Sequence, residues 1–116
     1  MKNHLEQSDE ELLKEYQQTR NPLLLNILFT RHVDVGYRTA MYYMHNQSDA
    51  EDVLQLAFIQ FLQNLRLTHS EGTKVKAWLM KVIVNISINK LRDEKRRAHH
   101  LQKVASERFQ HKQQQM

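Results

Sequence analysis

Apolar residues along this chain recur at helical spacing in four separate runs. Ser8-Asp9-Glu10-Glu11 forms a capping box, with Ser8 as N-cap and Glu11 three residues on. Leu12, Leu13 and Tyr16 follow, which predicts a short helix from about residue 9 to 19. Asn21-Pro22 opens a second helix: Asn21 can accept from an orphan amide, and Pro22 occupies the first helical position, where a missing N–H costs nothing. Leu24, Ile27, Leu28, Val35, Ala40, Met41 and Met44 carry that helix to about residue 45. Gly36 lies inside it at a cost of about 1 kcal/mol relative to Ala, which close helix packing or a slight break would explain.

Ser48-Asp49-Ala50-Glu51 reads as a second capping box, and the helix it opens ends near Leu65. At about 100° per residue, Leu54, Ala57, Phe58, Phe61 and Leu65 form a buried stripe, with Asp52, Gln55, Leu56, Ile59 and Gln63 opposite. Residues 66–73, with Thr68, Ser70 and Gly72, read as a loop. A fourth helix is expected from about residue 74 to 97 or beyond, with Val75, Trp78, Leu79, Val82, Ile83 and Ile86 on its core face. Lys74, Lys81, Asn85 and Arg92 fall within about 40° of one another on another face, with Asn89 and Arg96 beside them. Past Arg97 the apolar pattern thins. Residues 98–116 are expected to be a basic, Gln-rich linker or tail, partly disordered, frayed from Gln110 to Met116.

Two glycines, one proline and no alternating β-branched run place the chain in the all-α class, as a compact bundle of about four helices. A length of 116 residues makes it one domain, with a core of modest size. There is no cysteine, so disulfides and thiolate metal sites are excluded. No apolar stretch approaches the ~18 residues of a membrane span. Met1-Lys2-Asn3-His4 leads into acidic residues without the apolar segment of a secretory signal, and the cytoplasm is the default location.

Charge divides the chain. Residues 1–73 hold 6 Lys/Arg and 10 Asp/Glu, a balance of −4, whereas residues 74–116 hold 11 and 3, a balance of +8. An ordinary solvated helix face is the bland explanation. An excess of this size at one end of a small domain favours a polyanion, either nucleic acid or an anionic membrane surface. The fourth helix's polar stripe has the chemistry for a nucleic-acid strand, because Lys and Arg neutralise phosphates and Asn amides bond to base edges. Trp78, among apolar neighbours, fits a core residue better than a stacking platform, and Tyr42 and Tyr43 are ambiguous. Leu56 and Ile59, apolar on an outward face and ringed by polar residues, suggest a protein partner.

Catalysis and metals find no support. The seven histidines include no HExxH or His-x3-His pair. No GxSxG, P-loop or glycine-rich phosphate cradle occurs. Asp49, Glu51 and Asp52 cluster at a helix start, where carboxylates serve capping and the helix dipole rather than acid–base chemistry. The reading is a non-enzymatic protein with no cofactor and no metal.

Asp49-Ala50-Glu51-Asp52-x-x-Gln55, a loop, then Ala77-Trp78-Leu79, Asn85, Asn89 and Arg92 followed by basic residues resembles region 2 of bacterial RNA polymerase sigma factors. The nearest group is the extracytoplasmic-function type of the sigma-70 family. The resemblance covers residues 8–97 as a region 2-like domain. It implies that the helix matching 49–65 docks on the clamp helices of the polymerase β′ subunit, which casts Asp49, Asp52, Gln55, Leu56 and Ile59 as polymerase contacts. It implies that the loop and the helix after it recognise and melt the promoter minus-ten element. That assigns DNA contacts, on the non-template strand, to Lys74, Lys76, Lys81, Asn85, Asn89, Arg92, Lys95 and Arg96, with Leu67 to Thr73 gripping a flipped base. The chain departs from the family at Leu56, where an acidic residue is usual, at Asn89, often Asp, and at Val75, often aromatic. Nothing after Arg97 resembles a second, minus-thirty-five-reading domain.

The expected role is therefore transcription initiation, with core RNA polymerase and promoter DNA as partners, an anti-sigma protein as a further candidate, and no membrane. Two alternatives stay open. One is a sigma-like interaction module that binds an anti-sigma or other protein. The other is a basic helical protein that binds nucleic acid without sequence preference.

Overall fold

The computed structural model describes residues 3–65 and 74–114, and within them every regular element is helical. A 3-10 turn at His4–Glu6 precedes α1 (Asp9–Thr19), α2 (Pro22–Met44), α3 (Gln47–Gln63) and α4 (Val75–Gln114). The all-α bundle expected from composition is the observed architecture.

The first two helices start and stop where local chemistry dictates. Ser8 Oγ accepts from the Glu11 amide at 3.1 Å, and Asn21 Oδ1 accepts from Leu23 at 3.1 Å with Pro22 beginning the helix. Each helix ends on a left-handed residue, Arg20 at φ 57° and His45 at φ 60°. Their amides close on Tyr16 O at 2.7 Å and Met41 O at 2.9 Å, which satisfies carbonyls the helix would otherwise leave open. Side-chain residues rarely adopt that conformation, so both chain reversals carry a small strain.

The start of α3 differs from expectation. Its N-cap is Asn46, not Ser48, which lies inside the helix. Asn46 Oδ1 accepts from the Asp49 amide at 2.8 Å while its Nδ2 donates to Asp49 Oδ2 at 2.7 Å. One amide side chain thus satisfies an orphan backbone donor and a carboxylate together. Glu51, free of the capping role, accepts from Gln47 at 2.9 Å instead.

The end of α4 lies beyond the minimum expected: the helix continues past Arg97 and runs unbroken to Gln114. No glycine or proline occurs after residue 73, and Ala, Leu, Lys, Arg, Glu and Gln all favour helix. Residues 115 and 116 lie outside the described residues.

Helix α2 is central and packs against the other three. Leu13, Leu28, Ala40, Val53, Ala57, Phe61, Val75, Leu79 and Ile83 form the buried centre. Gly36 explains how three helices meet there. A Cβ on it would lie 2.9 Å from Leu54 Cδ1 and 3.1 Å from Ile83 Cδ1, so a bare backbone lets α3 and α4 approach α2 closely. The helix is unbroken at that point; of the two explanations open from sequence, close packing holds. Phe61 sits between Phe29 and Trp78, with edge-on ring contacts at 5.6 and 5.5 Å.

Polar ties hold α1 in place. Asp9 binds Arg31 Nη1 at 3.2 Å and buried His32 Nε2 at 2.7 Å. Arg31 Nη2 also donates to the carbonyls of His4 and Leu5 at 3.2 and 3.0 Å, fastening the N-terminal turn. Glu10 Oε1 accepts from the Val75 amide at 3.3 Å, so a carboxylate of α1 caps the positive end of α4. The whole measures 82 × 25 × 22 Å, because α4 runs far past the bundle.

Candidate functional site

Helices α3 and α4 each present a distinct polar face. On α3 the buried side consists of Ala50, Val53, Leu54, Ala57 and Phe61, with Phe58 and Leu65 at its edge. This fixes the rotation of the helix and turns Asp52, Gln55, Leu56, Ile59 and Gln63 outward. Leu56 is 46% and Ile59 49% exposed, so the apolar pair is a surface feature beside Asp52 and Gln55. Leu62, also exposed, extends that apolar surface by one turn and was not singled out from sequence.

Asp49 stands apart from its neighbours. It is only partly exposed, held by Asn46 and by Lys90 Nζ at 3.3 Å. Lys90 reaches Asp52 Oδ2 as well, at 3.6 Å. Bonds from Asn46 first, and then from Lys90, hold the Asp49 carboxyl below its usual 3.8. The sign of the consequence follows from linkage. A depressed folded value means that ionised Asp49 supports folding above the ordinary carboxylate range and ceases to as pH falls through the depressed value. Asp49→Asn should therefore lose less stability than the unmodified protein between pH 7 and pH 3. Urea midpoints at the two pH values check this; equal losses would show that Asp49 carries no acid sensitivity.

Sequence reading missed Lys90. It lies near the helical register of Leu79 and Ile83, on the side of α4 that faces the bundle. A lysine at a core-side position implies a carboxylate beneath it, and that is the signal that could have located it.

On α4 the buried line of Val75, Leu79 and Ile83 sets the rotation, and the predicted stripe emerges in solvent. Lys74, Lys76, Lys81, Asn85, Asn89, Arg92, Lys95 and Arg96 are all exposed. Lys74, Lys81, Asn85, Asn89, Arg92 and Arg96 share one side; Lys76 and Lys95 lie off it, at about 180° and 80° from the line of the others' centre. Trp78 is half-buried against Phe61, as the core reading required. Tyr42 is 74% exposed and meets the half-buried Tyr43 edge-on at 5.1 Å. The segment Leu67 to Thr73 lies outside the described residues. Among the described residues, no group of His, Asp and Glu is gathered as a metal site would need, and no helix is long and apolar enough to cross a membrane.

These two faces lie within the part of the chain that matches a known family. Residues 28–97 match sigma-70 region 2. Over 80 residues the chain is 32% identical to RNA polymerase sigma factor SigV of Bacillus subtilis (strain 168), a stretch that covers 69% of this chain and 47% of that protein. The chain thus spans about half the length of the curated relative it matches. No solved structure matches. The matched span takes in most of α2, all of α3 and the bundle-forming part of α4, and on that basis the chain belongs to the sigma-70 family, as a region 2 protein of the extracytoplasmic-function type.

Proposed function

We propose that this chain acts in transcription initiation, docking on the β′ clamp helices of core RNA polymerase through α3 and engaging the non-template strand of the promoter minus-ten element through α4. One observation carries the reading: two exposed faces of different chemistry stand on packed, adjacent helices within the sigma-70 region 2 match. Asp52, Gln55, Leu56 and Ile59 offer a mixed apolar and acidic surface of the kind a protein partner covers. Asp49, already paired within the chain, contributes by keeping the start of α3 in shape and by the charge it shares with Asp52.

The α4 stripe suits a single strand. Cations at Lys81, Arg92 and Arg96 neutralise phosphates, giving affinity that falls with salt, while Asn85 and Asn89 lie among them with amides able to read base edges. A surface that binds the open strand more tightly than the duplex shifts the equilibrium toward melting without consuming any fuel. Glu10 on the Val75 amide keeps the start of that stripe fixed relative to α1.

The test is titration of the full chain with core RNA polymerase, beside the double variant Asp52→Arg, Gln55→Ala. Binding by the unmodified chain and at least a tenfold loss in the variant are expected, since a reversed charge and a lost amide remove about 1.4 kcal/mol or more. No binding by the folded chain would overturn the proposal. In the strand assay, Lys81→Ala and Arg92→Ala should each lower the salt slope by about 1.

A further inference from the structure

Beyond Lys90, α4 leaves the bundle, and its far half has a face the proposed function does not use. Leu101, Val104, Ala105, Arg108 and Phe109 line a shallow hollow of about 540 Å³. Leu101 and Phe109 are each 62% exposed, more than any apolar residue of α3. Their spacing places them on one side of the helix, continuing the side that faces the core at Leu79 and Ile83. The cationic stripe continues separately. His99 and Lys103 stay in register with Lys81 and Arg92, on the side away from Leu101.

An apolar line at this spacing is what a second helix packs against. Its charges define that helix further. Arg97 and Arg108 lie on the apolar line itself, one before Leu101 and one after Val104. They are three helical turns apart, about 16 Å at about 1.5 Å per residue. Glu94 lies on the same line one turn before Arg97, but the two arginines leave the face net cationic, which favours a partner richer in carboxylates than a second copy. Fork-shaped guanidinium groups bind carboxylates in pairs of hydrogen bonds.

We propose that the far half of α4 is a docking surface for an amphipathic helix of a protein partner, one that carries two carboxylates eleven residues apart around a pair of apolar side chains. The partner's apolar pair covers Leu101 and Val104, with Phe109 flanking, and its carboxylates meet Arg97 and Arg108. This surface is independent of the polymerase and DNA faces, and its test does not rely on them.

The experiment uses the full chain and synthetic helical peptides of about six turns, followed by fluorescence anisotropy. The probe peptide carries Leu at two central positions one turn apart and Glu at two positions eleven apart. A control places Lys in place of both Glu, and a second control sets the two Glu seven apart. Saturable binding of the probe is expected, with at least tenfold weaker binding of each control. Leu101→Glu should abolish the interaction without changing helix content by circular dichroism. Arg97→Glu with Arg108→Glu should reverse the preference, favouring the Lys peptide. Equal binding of probe and Lys control, or unchanged binding by Leu101→Glu, would overturn the proposal. So would binding of the chain to anionic phospholipid vesicles, lost in Leu101→Glu, in place of the peptide, which would make this a membrane face. Concentration-dependent dimerisation lost in Leu101→Glu would overturn it likewise.

Discussion

Phe61→Ala should destabilise the fold by about 3–5 kcal/mol, the largest effect expected of any single truncation here. Phe61 is fully buried at the meeting point of α2, α3 and α4. Its ring touches Phe29 of α2 and Trp78 of α4. Truncation removes the transfer energy of the ring and both edge-on contacts, and leaves a cavity among helices that cannot close independently. Against a total of about 5–15 kcal/mol for a domain, the loss would leave about 0–2 kcal/mol at the low end of that range. Denaturant unfolding followed by circular dichroism would measure it. A loss below about 1 kcal/mol would mean that the three helices collapse freely into the gap, contrary to a core fixed by Gly36.

The second large effect is expected at Asp9, where Asp9→Ala should cost about 2–3 kcal/mol. Asp9 is the shared partner of Arg31 and the buried His32. Its removal leaves the imidazole of His32 without the acceptor it is turned toward, and leaves Arg31 one fewer anchor for the N-terminal turn. The helix dipole of α1 loses a first-turn carboxylate as well, a smaller loss. Asp9→Asn keeps an acceptor oxygen and should recover part of the loss. If both variants matched the unmodified protein in urea, the cluster would be decoration rather than a fastening.

The two clusters differ in how far the sequence discloses them. Phe61 falls on a helical stripe, and periodicity finds it without any knowledge of its partners. Ser8, Asn21 and Pro22 are legible for the same reason: a cap acts over three residues, so its chemistry is complete within a short window. Asn46 was obscured because Ser48 offers an equally good local pattern. The choice depended on which residue also bonded Asp49 from both sides. Asp9 with His32, Glu10 with Val75, and Lys90 with Asp49 join residues 23 to 65 positions apart, and no local rule pairs them. The outward faces of α3 and α4 were legible by subtraction, once the buried stripes were drawn. How far α4 runs past Arg97 was not, because the apolar periodicity that marks the other helices thins there. In a helix that has left its bundle, no core face is needed for the backbone to continue.

That length has a mechanical meaning. From Lys90 to Gln114 the helix spans about 36 Å at about 1.5 Å per residue, without a glycine or proline to act as a joint. It is a lever whose free arm begins where Lys90 grips the start of α3. With no joint at Lys90, a tilt of the whole helix by about 10° would sweep the tip through about 6 Å relative to that point, a displacement comparable to one helical turn. The ion pairs of Lys90 with Asp49 and Asp52 stand where the free arm meets the bundle, so a load on the tip would bear on the start of α3 first.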